Sequence, residues 1–229
     1  MKKNLIIIAV GIIALFLSSC SVQEPLLKKN AYAKLYEEKP LSVLIMPPVN
    51  RSTNVEAKEY FHSTLLIPLA NAGYYVIPPF LSMEMLKRES AYDAEMFLEQ
   101  SLNKFGNYFG ADMVLFTIIN KWDKSALAGK VYIDIEYILK STKTNEVLYS
   151  KVAHVTYDTS VSSNSNGLLG VLVDVTASAI STAVTQYIDV ARSCNSYALK
   201  DIPVGAYSSE YEMDGEENAT PNVLSVTLQ

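Results

Sequence analysis

The chain is poor in the residues that metal, redox and nucleophile chemistry need. Its 229 residues include two cysteines (Cys20, Cys194), two histidines (His62, His154) and one tryptophan. The histidines lie on different predicted elements, and no zinc set with the usual Cys/His spacing can be assembled. Gly-x-Gly-x-x-Gly, a phosphate loop and a Gly-x-Ser-x-Gly elbow are all missing. Basic residues are outnumbered 19 to 24, for a net charge of −5, and form no stripe. That balance argues against nucleic acid as a partner and against broad adhesion to anionic lipid. A catalytic residue, a metal and a cofactor are therefore not expected.

What the chain does have is a charged and apolar N-terminus. Lys2 and Lys3 precede an uncharged run from Leu5 to Leu17, and Leu17-Ser18-Ser19 leads into Cys20. The run of about 13 residues is short of the roughly 20 a bilayer span needs, and the order is that of a secretory signal. The ending Leu-x-Ser-Cys resembles the lipobox of bacterial lipoproteins. The resemblance implies cleavage before Cys20 and acylation of its thiol and new amino group, palmitate-type chains included. Several acyl chains, each buried CH2 contributing about 0.8 kcal/mol, make a lasting anchor. Without Lys2 and Lys3, 17 basic residues face 24 acidic ones, a net of −7. Cys194 is then left without an intramolecular partner. It is expected to be buried, the alternative being an intermolecular contact.

Residues 1–19 are thus expected to be the signal, 20–40 an acylated Cys and polar tether, 41–199 the folded domain and 200–229 an acidic, loosely patterned tail. The apolar run Leu41–Met46 reads as a buried strand stopped by Pro47-Pro48. Thr53 or Asn54 is a plausible N-cap for a helix from Val55 to Asn71, kinked at Pro68 and stopped at Gly73. Tyr74–Ile77, again closed by a Pro pair, suggests a parallel neighbour of the first strand. Helices are expected over Leu81–Glu89 and, with a clear 3.6-residue period, over Ala94–Phe109. Asp112–Asn120 is a third strand. In Val131–Lys140 the period becomes 2, which predicts an antiparallel hairpin turning at Ser141–Asn145 and returning over Glu146–Tyr157. Leu168–Ile188 is a long helix with one charge, Asp174. This order predicts a single layered α/β domain whose mixed sheet combines a parallel part with an antiparallel hairpin.

Several of these segments also carry a family resemblance. The lipobox, the strand end Ile45-Met46-Pro47-Pro48 with Asn50-Arg51-Ser52, the strand Gly110–Leu115 and the turn Ser141–Leu148 resemble a family of bacterial outer-membrane lipoproteins of unknown function. That family's fold is similar to the N-terminal domain of TolB, to CsgG and to LpoB. Asn145 stands where Gly is usual in the turn, and Asn tolerates the left-handed conformation it requires. The resemblance implies a non-enzymatic scaffold or adaptor in an outer-membrane assembly or secretion system, with a CsgG-like partner. The alternative is a lipoprotein regulator of a peptidoglycan synthase, like LpoB. Ser21 after the Cys, rather than Asp, implies the outer membrane by the family's sorting rule, facing the periplasm.

Candidate contact residues follow. The loop Asn50, Arg51, Ser52 and Thr53 is a candidate partner surface, and the hairpin edge a candidate for strand addition. Val175, Ala179 and Ala183, with small-xxx-small spacing, are a candidate homo-oligomer interface. Ser101-x-x-Lys104 matches a penicillin-binding motif without its supporting elements. Glu210-x-Glu212-x-Asp214-Gly215 faintly resembles a calcium loop with Pro221 at its twelfth position; a solvated acidic tail is the expected reading.

Overall fold

The computed structural model describes residues 26–125, 129–158 and 174–229, the side chains of 174–186 excepted. One sheet organises it. Strands β1 (Ser42–Ile45), β2 (Val49–Asn50), β3 (Tyr75–Val76), β4 (Met113–Ser125), β5 (Lys130–Ser141), β6 (Val147–Asp158) and β7 (Val223–Leu228) are arranged β3-β1-β4-β5-β6-β7, with β2 also on β4. β1 is parallel to β3 and β4, as expected of the two strands closed by Pro pairs. β1 and β2 share one edge of β4, joined through the Met46 N–H to the Leu115 carbonyl and interrupted by Pro47-Pro48. Proline has no N–H to give to a ladder, so the sequence Ser42–Asn50 makes two strands out of one edge.

The β4–β5–β6 meander is antiparallel, and Asn145 sits at φ 64° in its second turn. Strand alternation sends Val43, Ile45, Met113 and Leu115 to one face of the sheet and Leu44, Met46, Val114 and Phe116 to the other. Helices α3 (Ala57–Thr64), α4 (Leu66–Asn71) and α7 (Asp174–Leu199) cover the first face, through Phe61, Leu65, Leu69, Val190, Cys194 and Ala198. Cys194 is fully buried, and burial pushes its thiol well up. Buried Asn195 joins three elements: its amide donates to the Phe61 carbonyl (3.0 Å) and Thr64 Oγ1 (2.9 Å), and its Oδ1 accepts from the Tyr137 hydroxyl (2.7 Å). The second face is covered by α5 (Pro79–Arg88) and α6 (Asn103–Phe109), through Leu86, Leu102 and Phe105.

Four expectations are corrected. The helix over 55–71 is two helices separated at Leu65, because Pro68 cannot bond to the Thr64 carbonyl and its ring crowds it. The helix over 94–109 is a 3₁₀ turn (Ala94–Phe97) followed by α6; between them the Leu98 carbonyl accepts from buried Lys140 (2.6 Å) instead of from a helical N–H. The hairpin has no open edge, since β5 lies between β4 and β6, and β7 pairs in parallel with β6.

The fourth correction concerns both ends of the chain. Residues 28–38, expected in the tether, form α1 (Lys28–Ala31) and α2 (Ala33–Glu38), with Tyr32 and Leu35 in the core. Residues 200–229, expected as a loose tail, close the sheet with β7. The reason is a buried polar clasp. Asp201 and Lys151, 3 % and 0 % exposed, pair at 3.0 Å. Asp201 also accepts from the Tyr32 hydroxyl, the Thr220 N–H (2.9 Å) and Thr220 Oγ1 (2.8 Å). Lys151 donates further to the carbonyls of Thr220 (2.7 Å) and Pro221 (3.1 Å). Nearby, Lys28 pairs with Asp214 (3.2 Å) and Glu217 (2.8 Å), and Tyr36 donates to Asp214 (2.8 Å). Gly73 (φ 87°) packs backbone to backbone on Gly205, where an added Cβ meets the Gly205 oxygen at 2.7 Å. Lys151 and Asp201 lie 50 residues apart, and Lys28 and Asp214 lie 186 apart, beyond the reach of any local pattern.

Burial pushes the Asp201 carboxyl up, but Tyr32, Lys151 and Thr220 outweigh it and hold the group below the ordinary carboxylate range. Removing one member of a buried pair strands the other charge. Asp201→Ala is expected to lower the unfolding free energy by about 3–5 kcal/mol, and replacing Asp201 and Lys151 together by apolar residues to recover part of that; urea titration of both variants checks this. His62 is buried with an unpartnered Nε2, and burial lowers its pKa from 6.5 against the opposing pull of Glu59, with Lys58 adding to the lowering. A lowered folded pKa makes protonation favour the unfolded chain, so this contribution is full above pH 6.5 and is lost as pH falls through the folded value. His62→Gln should therefore show a flatter loss of stability than the unsubstituted protein between pH 7 and 5, read from urea midpoints.

Candidate functional site

Cys20 and the lipobox residues Leu17, Ser18 and Ser19 lie outside the described residues. The described chain begins at Leu26. The Leu26 carbonyl accepts from the Ala219 N–H (2.7 Å), and Lys28 and Lys29 donate through their backbones to Glu217 and Gly215. The chain is therefore held to the folded body from Leu26 onward. Six residue steps separate Leu26 from Cys20, a span of about 20 Å at full extension. A tether running to residue 40 would reach roughly 70 Å. Among the described residues, no helix is long and apolar enough to cross a membrane.

In the loop after β2, Asn50 donates to the Asn54 carbonyl (2.7 Å) and accepts from the Ser52 N–H (3.1 Å) and Oγ (2.7 Å). Asn54 Oδ1 accepts from the Glu56 N–H (3.0 Å) in the turn before α3, but the residue at the helix N-cap is Glu56, without a side-chain cap, so the expected capping by Thr53 or Asn54 is corrected. Arg51 pairs with Glu95 at 2.5 Å. The polar groups of Asn50 and Ser52 are thus engaged in shaping the turn, while Arg51, Thr53 and Val55 stay exposed. Val175, Ala179 and Ala183 fall on α7, and their side chains lie outside the described residues. Asp214 is engaged by Lys28, Tyr36 and the Val204 N–H (3.1 Å), which replaces the calcium-loop reading with an internal polar contact. Ser101 Oγ accepts from the Asn103 N–H, at the start of α6.

The half of the sheet that α5 and α6 leave uncovered carries a row that the sequence reading did not single out. The registers of β5, β6 and β7 set Asp134 beside His154, and His154 beside Ser225. His154 Nδ1 and Asp134 Oδ1 are 2.7 Å apart, with side chains 48 % and 37 % exposed. Lys121, Tyr132, Thr156 and Thr227 surround them in a shallow depression of about 460 Å³. A nucleophile–base–acid order is present in the residue types, but Ser225 makes no hydrogen bond to His154 among the described contacts. The face is flat and open to water, where a developing charge gains little from its neighbours. What the row offers is a polar surface. The hairpin was within reach of the sequence, but the Asp134–His154 pairing was not: a turn centred on Ser141–Asn145 sets Asp134 opposite Val152, and the register that brings it to His154 depends on the irregularity between Leu139 and Lys140. Nor was Ser225, because β7 was unrecognised. Among the described residues, no group of three or more His, Cys, Asp or Glu could hold a metal ion.

The family model described as "Putative lipoprotein GNA1162-like" matches residues 30–204. The chain belongs to this family. A curated relative, "Putative lipoprotein NMB1124/NMB1162" of Neisseria meningitidis serogroup B, is 30% identical over 174 residues, covering 75% of this chain and 79% of the relative. Among solved structures, lipoprotein GNA1162 from Neisseria meningitidis is 28% identical, with a TM-score of 0.48 over 64% of this chain and 99% of that one. The C-terminal domain of LpoB from Salmonella enterica is 17% identical, with a TM-score of 0.35 over 56% of this chain and 94% of that one. Family membership makes the protein a membrane-anchored envelope lipoprotein whose function is not established.

The exposed Asp134–His154 pair belongs to a surface and not to the scaffold of the fold. Asp134→Ala is accordingly expected to change the unfolding free energy by less than about 1 kcal/mol, measured beside the Asp201→Ala variant under the same conditions.

Proposed function

We propose that this protein is a non-enzymatic scaffold or adaptor of the outer membrane, anchored through acylated Cys20 and facing the periplasm. The observation that carries the reading is the short leash. With α1 and α2 held into the fold by Lys28 and Tyr32, about 20 Å of chain separates the anchor from the body. Such a body works beside the membrane that holds it. A regulator that must reach a peptidoglycan synthase across the envelope needs a far longer span, so the leash disfavours the LpoB-like alternative. The non-enzymatic reading is supported by the exposure of the Asp134–His154–Ser225 row. The partner that the family resemblance suggests is a CsgG-like secretion component, and Arg51, Thr53 and Val55 in the loop after β2 are accessible to it.

Two experiments test this. Cys20→Ala should leave a folded domain and move it from the membrane to the soluble fraction; retention in the membrane without lipid defeats the anchor. Crosslinking in intact cells, with recovery of the full-length lipoprotein and mass spectrometry, should return outer-membrane or secretion components. Recovery of cell-wall synthases instead would establish the regulator reading.

A further inference from the structure

The second face of the sheet ends in an aromatic cleft between α5 and α6. Its volume is about 550 Å³, within the roughly 300–1,000 Å³ of small-ligand sites. Leu86 and Phe105 form its buried floor, 1 % and 5 % exposed. Phe97 meets Phe105 edge-on at 5.1 Å, and Phe109 stacks on Phe105 at 6.4 Å, giving a ladder of three rings. Met85 and Tyr108 stand at the mouth with apolar surface in water. Beyond them on α5, Phe80 and Leu81 are 83 % and 56 % exposed. Leu81 and Met85, one helical turn apart, share a side of α5, and an exposed apolar patch marks a binding site more often than a solvent face.

The rim of the cleft carries cations. Arg88 and Lys104 line the cleft, and neither makes an ion pair among the described residues. Neighbouring Lys87, by contrast, is paired with Glu84. Glu89 at the same rim leaves a surplus of one positive charge, on a chain whose net charge is −5. An aromatic slot capped by unpaired cations is complementary to an apolar chain ending in an anion.

We propose that this cleft binds a single acyl chain with an anionic head, the chain along Phe97, Phe105 and Phe109 and the head between Arg88 and Lys104. The inference rests on the cleft and its rim, independently of any protein partner. The short leash adds that the body is held beside a bilayer, a source of such amphiphiles.

The test uses the full-length lipoprotein in phosphatidylcholine vesicles, with a diazirine-bearing fatty acid and the matching fatty alcohol as photoprobes, adducts being mapped by mass spectrometry. The acid is expected to label the lining residues of the cleft, to be displaced by excess dodecanoate, and to label several-fold more than the alcohol. Arg88→Glu with Lys104→Glu, both on exposed side chains, should remove that preference. Ala91→Phe should fill the slot and abolish labelling by both probes, with an unchanged melting temperature showing that it is folded. Equal labelling by acid and alcohol overturns the anionic assignment. Labelling elsewhere, or cleft labelling that survives Ala91→Phe, overturns the site. Capture of a polypeptide by a photocrosslinker placed at Tyr108, in competition with the acid, overturns the acyl chain as its occupant.

Discussion

The contact between Lys151 and Asp201 is the constraint on which the architecture turns. It has no exposure to water to lean on, so every polar atom near it must find a protein partner. Meeting that demand draws in Tyr32 from α1–α2, Thr220 and Pro221 from the segment before β7, and the β6 backbone around Lys151. The two ends of the chain are thereby placed side by side. β7 then completes the sheet, and the N-terminal helices pack beneath the hairpin turn, where Glu38 accepts from Ser141 (2.6 Å) and Thr144 (2.7 Å). A pair of this kind adds little net stability over a well-packed apolar substitute. Its effect is on specificity: one arrangement of the termini satisfies it, and looser arrangements leave a buried charge alone.

That constraint reaches function through length. By taking residues 26–40 into the body, the clasp shortens the free connection to Cys20. A lipoprotein on a long tether samples a wide shell around its anchor, whereas the anchoring through Cys20 proposed above would confine this one near the bilayer. Both accessible surfaces gain meaning from that confinement. The loop after β2 presents Arg51 and Thr53 from a turn whose shape Asn50 and Ser52 hold. The aromatic cleft opens on the opposite face of the sheet from α7 and presents unpaired cations at its rim.

The helical and strand periods of the sequence carried much of the fold. The Pro pairs after β1 and β3 marked two parallel strands, and alternation in Val131–Lys140 marked the hairpin, though not the register that sets Asp134 opposite His154. Asn145 at positive φ was legible from its residue type. Apart from the break that Pro68 makes between α3 and α4, a long-range partner was responsible where local reading failed. The Ala94–Phe109 periodicity is that of one helix, yet Lys140 takes the Leu98 carbonyl. Asp201 and Asp214 look like members of a solvated acidic tail until Lys151 and Lys28 arrive from 50 and 186 residues away.

The sequence by itself therefore determined the signal-like N-terminus ending at Cys20, the α/β class, the parallel-plus-hairpin sheet and the burial of Cys194, because each follows from residue order within a turn, a strand or a helix. Only the tertiary structure decided that the ends of the chain belong to the domain, that β7 covers the hairpin edge, and that Phe97, Phe105 and Phe109 meet Arg88 and Lys104 in one cleft. Those features depend on charges and rings that become neighbours only when the chain has folded, and no local period records them.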